Sequence, residues 1–149
     1  MRKFFILCSF FLLSFVGVYA QVDTEFWFAF PDLSADHAQT CVSLNVITFD
    51  EAATIRIEQP ANPNFSVISR TVAAQSSYRF NMGGADIFPM VETIHGGVRN
   101  AGFLITSTAP ISLYYANTCD NSEIYSLKGS NALGTDFIVP MQYEYANSE

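Results

Sequence analysis

Histidine is the side chain most often used for proton transfer and metal binding near neutral pH, and the sequence has two, His37 and His95. His95 precedes Gly96-Gly97, a pattern found in the oxyanion loop of esterases. Those enzymes also need a G-x-S-x-G nucleophile elbow, which this sequence lacks, and a hairpin turn explains the two glycines. His37 could join Asp32 in a metal site, yet neither histidine has a Cys or His partner at ligand spacing. The histidines therefore predict neither a catalytic centre nor a zinc site.

Oxygen-bearing and aromatic side chains offer three further candidates. The run Asp120-Asn121-Ser122-Glu123 supplies oxygen ligands for Ca²⁺, but it lacks the D-x-D-x-D-G spacing of calcium loops, so a solvated turn is the favoured interpretation. Glu25 and Asp136 could act as a carboxylate pair only if two lobes of the protein faced each other, and an internal repeat explains both more simply. Trp27 could stack on a sugar ring, although its Phe neighbours favour a place in the core. We therefore predict no catalytic residue, no metal, no cofactor and no enzymatic activity.

Residues 1–20 have the organisation of a secretory signal peptide. Two basic residues open the chain, Phe4–Val18 is an almost unbroken apolar run, and Val18-Tyr19-Ala20 has the small-residue pattern that signal peptidase requires. The alternative, a membrane anchor, is disfavoured because the run is short for a span and no basic stop follows it. We expect export to the cell surface or the medium, a mature chain that begins at Gln21, and no stable membrane insertion after cleavage.

The charge balance bears on the class of partner. The sequence has 14 acidic residues against 7 Lys and Arg, a formal net charge of −7, and signal cleavage removes two of the basic residues. Nucleic-acid binding depends on Lys and Arg that neutralise phosphates, so nucleic acid is excluded as a partner. The acidic surface mainly favours solubility.

Two cysteines remain after signal cleavage, Cys41 and Cys119, because Cys8 lies inside the apolar run. An even pair of cysteines in an exported chain suggests a disulfide, and two residues allow only one connectivity. The alternative is one buried thiol and one loop thiol, since nothing in the sequence shows that the two approach each other. The pair is a disulfide candidate.

The stretch that organises the predicted fold is Gly102–Asn117. It holds two apolar runs, Phe103–Ile105 and Ile111–Tyr115, separated at Ala109-Pro110, and both are rich in the β-branched and aromatic residues that favour strands. We interpret them as the central strand pair of the fold. Because proline cannot donate to a β-ladder, Pro110 is expected at a bulge or at the start of the second strand.

Other strand-length runs recur about every eight to twelve residues with turn signals between them, and no amphipathic helix is evident. This spacing predicts an all-β, antiparallel β-sandwich of Ig-like type. Along the predicted strand Thr40–Phe49, the apolar residues Val42, Leu44 and Val46 share one face. Ile47 and Phe49 point to the other face, so we expect this strand to be covered on both sides near its end. The predicted strands are Thr24–Phe30, Thr40–Phe49, Thr54–Glu58, Phe65–Val72, Ser77–Met82, Glu123–Leu127 and Thr135–Val139.

An internal echo suggests the domain organisation. Thr24–Phe28 followed by Pro31 resembles Thr135–Val139 followed by Pro140, and the two are separated by roughly one sandwich domain of about 100 residues. The alternative is a chance alignment of two strands of similar composition. We predict a signal peptide at residues 1–20, a β-sandwich module at 21–133, and the start of a second, truncated β unit at 134–149.

Three segments of the sequence carry a family resemblance: Thr24–Pro31, Ala101–Ser107 continuing into Pro110–Tyr114, and Ala132–Pro140. They resemble the N-terminal domain family of IgGFc-binding proteins, as this family occurs in exported Bacteroidetes-type surface proteins. The sequence departs from the family's pattern at Asp23, where glycine is usual, and at Lys128–Asn131, where a Leu-Pro-Thr-like step is usual. The matching residues are of structural types: strand starts, a bulge proline and turn glycines.

The resemblance implies an exported β-rich module of a larger cell-surface or secreted protein, often one that uses type IX secretion. We expect it to act in adhesion or ligand binding, with a host or matrix glycoprotein or another surface protein as partner. The alternatives are a structural spacer and an accessory domain of a secreted hydrolase. Recognition is expected on three polar loops, because loops tolerate variation and carry binding residues. These loops are Leu33–Gln39, Pro60–Asn64 and Asn117–Ser122.

Overall fold

A computed structural model describes residues 21–31, 41–83, 101–119 and 122–135. Within these ranges all the strands pair antiparallel, and no α-helix is present, which confirms the all-β antiparallel class. The elements are β1 (Val22–Phe28), β2 (Val42–Thr48), β3 (Ala53–Glu58), β4 (Ile68–Val72), β5 (Ser77–Asn81), β6 (Phe103–Asn117) and β7 (Glu123–Ser126), followed by a 3-10 helix at Ser130–Ala132.

Strand β6 is the centre of the sheet. Its first half pairs with β1 and β3, and its second half pairs with β2 and β7. Because β1 and β3 both pair with residues 104–106 of β6, they lie on opposite sides of that strand. β2 and β7 both pair with residues 114–117, so they also lie on opposite sides of β6. The strand order is β4-β3-β6-β2-β5, with β1 and β7 both paired to β6.

The prediction of two separate central strands is wrong, because β6 is one strand of 15 residues. Its odd-numbered residues stay inward on both sides of Ala109-Pro110, so the alternation that defines the core face is never interrupted. Pro110 lies in β6 at an irregular step, opposite the register shift between Asp23 and Glu25 of β1. This position agrees with the expected bulge and suits a residue that has no backbone N–H to donate.

The sheet curls until its two outer strands approach each other. The Arg70 guanidinium of β4 lies 4.0 Å from the centre of the Tyr78 ring of β5, a cation–π contact. The turn between β4 and β5 is tied to the end of β2, where the Thr48 hydroxyl accepts the Ser76 amide at 3.0 Å. The described strands therefore form one curled sheet that approaches a barrel, and the two separate sheets of an Ig-like sandwich are not confirmed.

The inner face of the curled sheet holds the core, where each large apolar side chain contributes about 1.5–3 kcal/mol when fully buried. On β2, Leu44 and Val46 are completely buried, whereas Ile47 is 39% exposed, and Phe49, just after the strand, is 42% exposed. The prediction that this strand is covered on both sides near its end is therefore wrong. The largest fully buried side chains are Phe26, Phe30, Leu44, Val46, Ile55, Ile57, Met82, Phe103, Ile105, Ile111, Leu113 and Tyr115.

A disulfide joins Cys41 and Cys119, which stand 78 residues apart in sequence. Cys41 precedes β2, Cys119 follows β6, and the register of these strands places Val42 opposite Asn117. The Thr118 amide continues this ladder by donating to the Cys41 carbonyl at 3.4 Å. The two cysteine Cα atoms are 5.5 Å apart, within the range that a disulfide requires.

Several predicted segments lie outside the described residues. They include the signal peptide of residues 1–20, the loop Leu33–Gln39, and the second β unit beyond Thr135. The strand predicted at Thr135–Val139 is described only at Thr135, which is not in a strand.

Candidate functional site

Trp27 lies on the solvent-facing side of β1. Successive side chains of a strand point to opposite faces, so Phe26 turns inward and is 1% exposed, whereas Trp27 turns outward and is 55% exposed. The core position that its Phe neighbours favoured for Trp27 is therefore wrong. A signal for this was present in the sequence, because the other aromatic residues of the strand fall on the opposite side from Trp27.

Trp27 belongs to a two-row array of outward side chains, which we call the Trp27 face. In one row, Leu104 of β6 lies between Trp27 of β1 and Glu58 of β3. In the next row Glu25, Thr106 and Arg56 follow in the same strand order. The Trp27 face is formed by Glu25, Trp27, Arg56, Glu58, Leu104 and Thr106.

Polar contacts within single strands orient the side chains of the Trp27 face. The indole Nε1–H of Trp27 donates to Oε1 of Glu25 at 3.1 Å. On β3, Nη2 of Arg56 donates to Oε2 of Glu58 at 2.6 Å, and these side chains are 50% and 26% exposed. Because the only donor of the indole is bonded within its own strand, the ring offers its apolar surface to a ligand.

The geometry of the sheet fixes the size of the Trp27 face. Neighbouring strands lie about 4.8 Å apart and next-nearest residues along a strand about 6.6 Å apart. Three strands and two rows therefore span roughly 10 Å by 7 Å. This area holds one aromatic ring, one guanidinium, two carboxylates and one hydroxyl, a set suited to reversible binding of a small polar ligand.

The buried polar network on the outer face of β2 was not predicted from the sequence. Asn45 Nδ2 donates to Ser43 Oγ at 3.1 Å, and Ser43 Oγ donates to the Ala116 carbonyl at 3.3 Å. Arg79 Nε donates to Asn45 Oδ1 at 3.2 Å. Ser43 and Asn45 are 1% and 7% exposed, so each needs these partners, and the network is explained by stability alone.

The predicted site residues are not brought together by the described part of the fold. Glu25 lies on the Trp27 face, whereas Asp136 lies outside the described residues, as do the metal and oxyanion candidates His37, Asp32 and His95. Of the acidic turn, Asp120 and Asn121 also lie outside them. Among the residues described, no three His, Cys, Asp or Glu side chains are grouped as metal ligands.

A second surface feature is a shallow open cleft of about 700 Å³ beside the end of β2. Its lining includes the exposed Ile47 and Phe49 and a single charged side chain, Asp50. The cleft has one charged side chain, whereas the Trp27 face has three, on Glu25, Arg56 and Glu58, so the cleft is the weaker candidate for a binding site.

Comparisons of the chain with protein-family models, with curated proteins and with solved structures found no match. Across the ranges that the structure covers, no helix is long and apolar enough to cross a membrane.

Proposed function

We propose that the protein is an exported, non-catalytic β module of a larger cell-surface or secreted protein, and that it acts in adhesion or ligand binding. The observation that carries the proposal is the exposed Trp27, which lies among polar side chains on the outer face of the sheet. Tryptophan is enriched in binding surfaces because its large rigid ring contributes contact area at little cost in conformational entropy.

Two features support export. The order of basic, apolar and small residues at the start of the sequence is that of a secretory signal peptide. The disulfide between Cys41 and Cys119 is a bond that persists mainly in oxidising compartments. The motifs shared with the IgGFc-binding N-terminal domain family extend the proposal to a multidomain surface protein. N-terminal sequencing of exported protein should give Gln21, and a chain that still starts at Met1 would contradict the signal peptide.

The binding function is tested by screening the purified protein against immobilised glycans, mucins and immunoglobulins, beside a panel of hydrolase substrates. We expect binding without turnover. Trp27→Ala should weaken the binding at least about tenfold. Ile124→Ala should retain it, because Ile124 is also exposed, at 67%, but lies on β7 and away from the Trp27 face. Robust turnover would contradict the non-catalytic proposal. Silence in both screens would favour the structural spacer.

A further inference from the structure

We propose that the Trp27 face binds a neutral carbohydrate chain, with one pyranose ring stacked on the indole of Trp27. This inference rests on the proposed binding function and names the class of ligand. The C–H groups on one side of a pyranose form an apolar surface that matches an aromatic ring, while its hydroxyl groups point outward around the ring edge. The Trp27 face presents the two complementary parts at neighbouring positions of one sheet.

The apolar part of the site is already oriented. The bond from Nε1 of Trp27 to Oε1 of Glu25 restricts rotation of the indole, so less side-chain entropy is lost when a ligand binds. Leu104 stands directly opposite Trp27 on β6 and is half-buried, which extends the apolar surface toward the middle of the sheet.

The polar part consists of Thr106 on β6, next to β1, and of Arg56 and Glu58 on β3, two strands away from Trp27. Arg56 supplies N–H donors and is half-exposed, and Glu58 supplies carboxylate acceptors. Thr106, between Glu25 and Arg56 in the register, can both donate and accept. Sugar hydroxyls also donate and accept, and a planar guanidinium or carboxylate can contact two neighbouring hydroxyls at once.

Charge selects a neutral sugar over an anionic one. The Trp27 face carries two carboxylates, on Glu25 and Glu58, against the single guanidinium of Arg56, which is already paired with Glu58 at 2.6 Å. The protein as a whole carries a formal charge of −7. A sulfated or uronic-acid polymer would therefore be repelled both at the site and during approach.

The size of the apolar surface argues against a folded protein as the occupant. An indole that is 55% exposed offers on the order of 100 Å² of aromatic surface. A stable protein interface buries about 800 Å² on each partner around an apolar centre. The remaining side chains of the Trp27 face are polar or half-buried, so the surface fits one or two sugar rings better than a protein partner or a second copy of the chain.

The test uses the intrinsic fluorescence of the protein, because Trp27 is the only tryptophan in the sequence. The probes are cellohexaose, xylohexaose and N-acetylchitohexaose as neutral chains, with a heparin hexasaccharide as the anionic control. At least one neutral chain should shift the Trp27 emission and protect it from acrylamide quenching, and the heparin fragment should do neither. Calorimetry should give at least about tenfold weaker binding for Trp27→Ala, partial retention for Trp27→Tyr, and full retention for Ile124→Ala.

The outcomes separate this inference from the proposed function. A glycan or mucin that binds wild-type protein and Trp27→Ala equally would overturn the site while leaving the binding function in place. Mucin binding that is lost in Trp27→Ala but survives chemical deglycosylation of the mucin would identify a protein ligand and overturn the carbohydrate. Protection by the heparin fragment alone would overturn the neutral class. Silence of all four oligosaccharides, together with binding of mucin or immunoglobulin, would overturn the carbohydrate ligand and leave the binding function in place.

Discussion

At the scale of single residues, Asp23 joins the start of β1 to the 3-10 helix near residue 130. Its Oδ2 accepts the Ser130 amide at 2.8 Å and also the Ser130 hydroxyl, and its Oδ1 accepts the Thr24 amide at 2.7 Å. Gly129 packs so closely that a Cβ there would overlap the Asp23 side chain. Asp23 and Ser130 lie 107 residues apart in the sequence, and the structure places them in contact.

The hydrogen bonds from Ser130 and Thr24, foremost the one from the Ser130 hydroxyl, lower the pKa of the Asp23 carboxyl. A lowered pKa in the folded state gives a contribution to stability that is present above the unfolded pKa of about 3.9 and is lost as the pH falls through the folded value. We expect Asp23→Asn to lower the free energy of unfolding at neutral pH by about 0.5–1.5 kcal/mol. The difference from wild type should shrink at about pH 3 and below.

Urea denaturation of both proteins at neutral and acid pH measures this difference. Asp50→Asn, at an exposed turn position, is the matched control and should follow wild type at every pH. If Asp23→Asn lowers the free energy of unfolding by the same amount at both pH values, the carboxylate charge makes no contribution to stability.

At the scale of elements, β6 holds the sheet together because four strands pair with it. Around its irregular step, side-chain hydroxyls replace ladder bonds. The β3–β6 pairing ends at Ile55 opposite Ser107, and the next amide, that of Thr54, donates instead to the Thr108 hydroxyl at 2.9 Å. This substitution lets β6 pass from one pair of neighbours to the other without leaving that amide unsatisfied.

Leu113 tests the central role of β6, since it is completely buried in the middle of the strand. We expect Leu113→Ala to lower the free energy of unfolding by about 2–5 kcal/mol through lost burial and the cavity left behind. Ile124→Ala is the control because Ile124 lies on the neighbouring β7 and is 67% exposed. That control should stay within about 0.5 kcal/mol of wild type, and comparable losses in the two variants would contradict the assignment of the core face.

At the scale of the whole molecule, the disulfide closes the longest loop described. It spans 78 residues, so it restricts the conformations of the unfolded chain. In the folded protein it lies at the end of the β2–β6 ladder and links two strands that are already paired. Chain-entropy arithmetic gives a stabilisation of at most about 4–5 kcal/mol for a loop of this length. We expect reduction to lower the denaturation midpoint clearly.

The measurement is the denaturation midpoint with and without a thiol-free reductant. The Cys41→Ser/Cys119→Ser double variant should match the reduced protein and should not respond to the reductant. An equal midpoint for oxidised and reduced wild type would show that the bridge adds nothing to stability.

The local alternation of residues was readable without tertiary information. Leu44 and Val46 lie on the buried face of β2, and Ile55 and Ile57 on that of β3, as their period of two predicts. The strand boundaries shifted by a few residues, because ends depend on what each strand pairs with. Phe65, predicted to begin a strand, instead lies before β4 and packs against the Phe103 ring at 5.4 Å.

The sequence by itself determined the all-β class, the inward sides of β2 and β3, and the cysteine pair as the disulfide candidate, because these depend on residue type and short-range spacing. Only the tertiary structure decided that Trp27, Leu104 and Glu58 form one row. These residues lie on strands far apart in the chain, and their pairing is set by how the whole sheet buries its apolar face. The same long-range pairing joins the two apolar runs in the single strand β6, because its neighbouring strands pair with both runs.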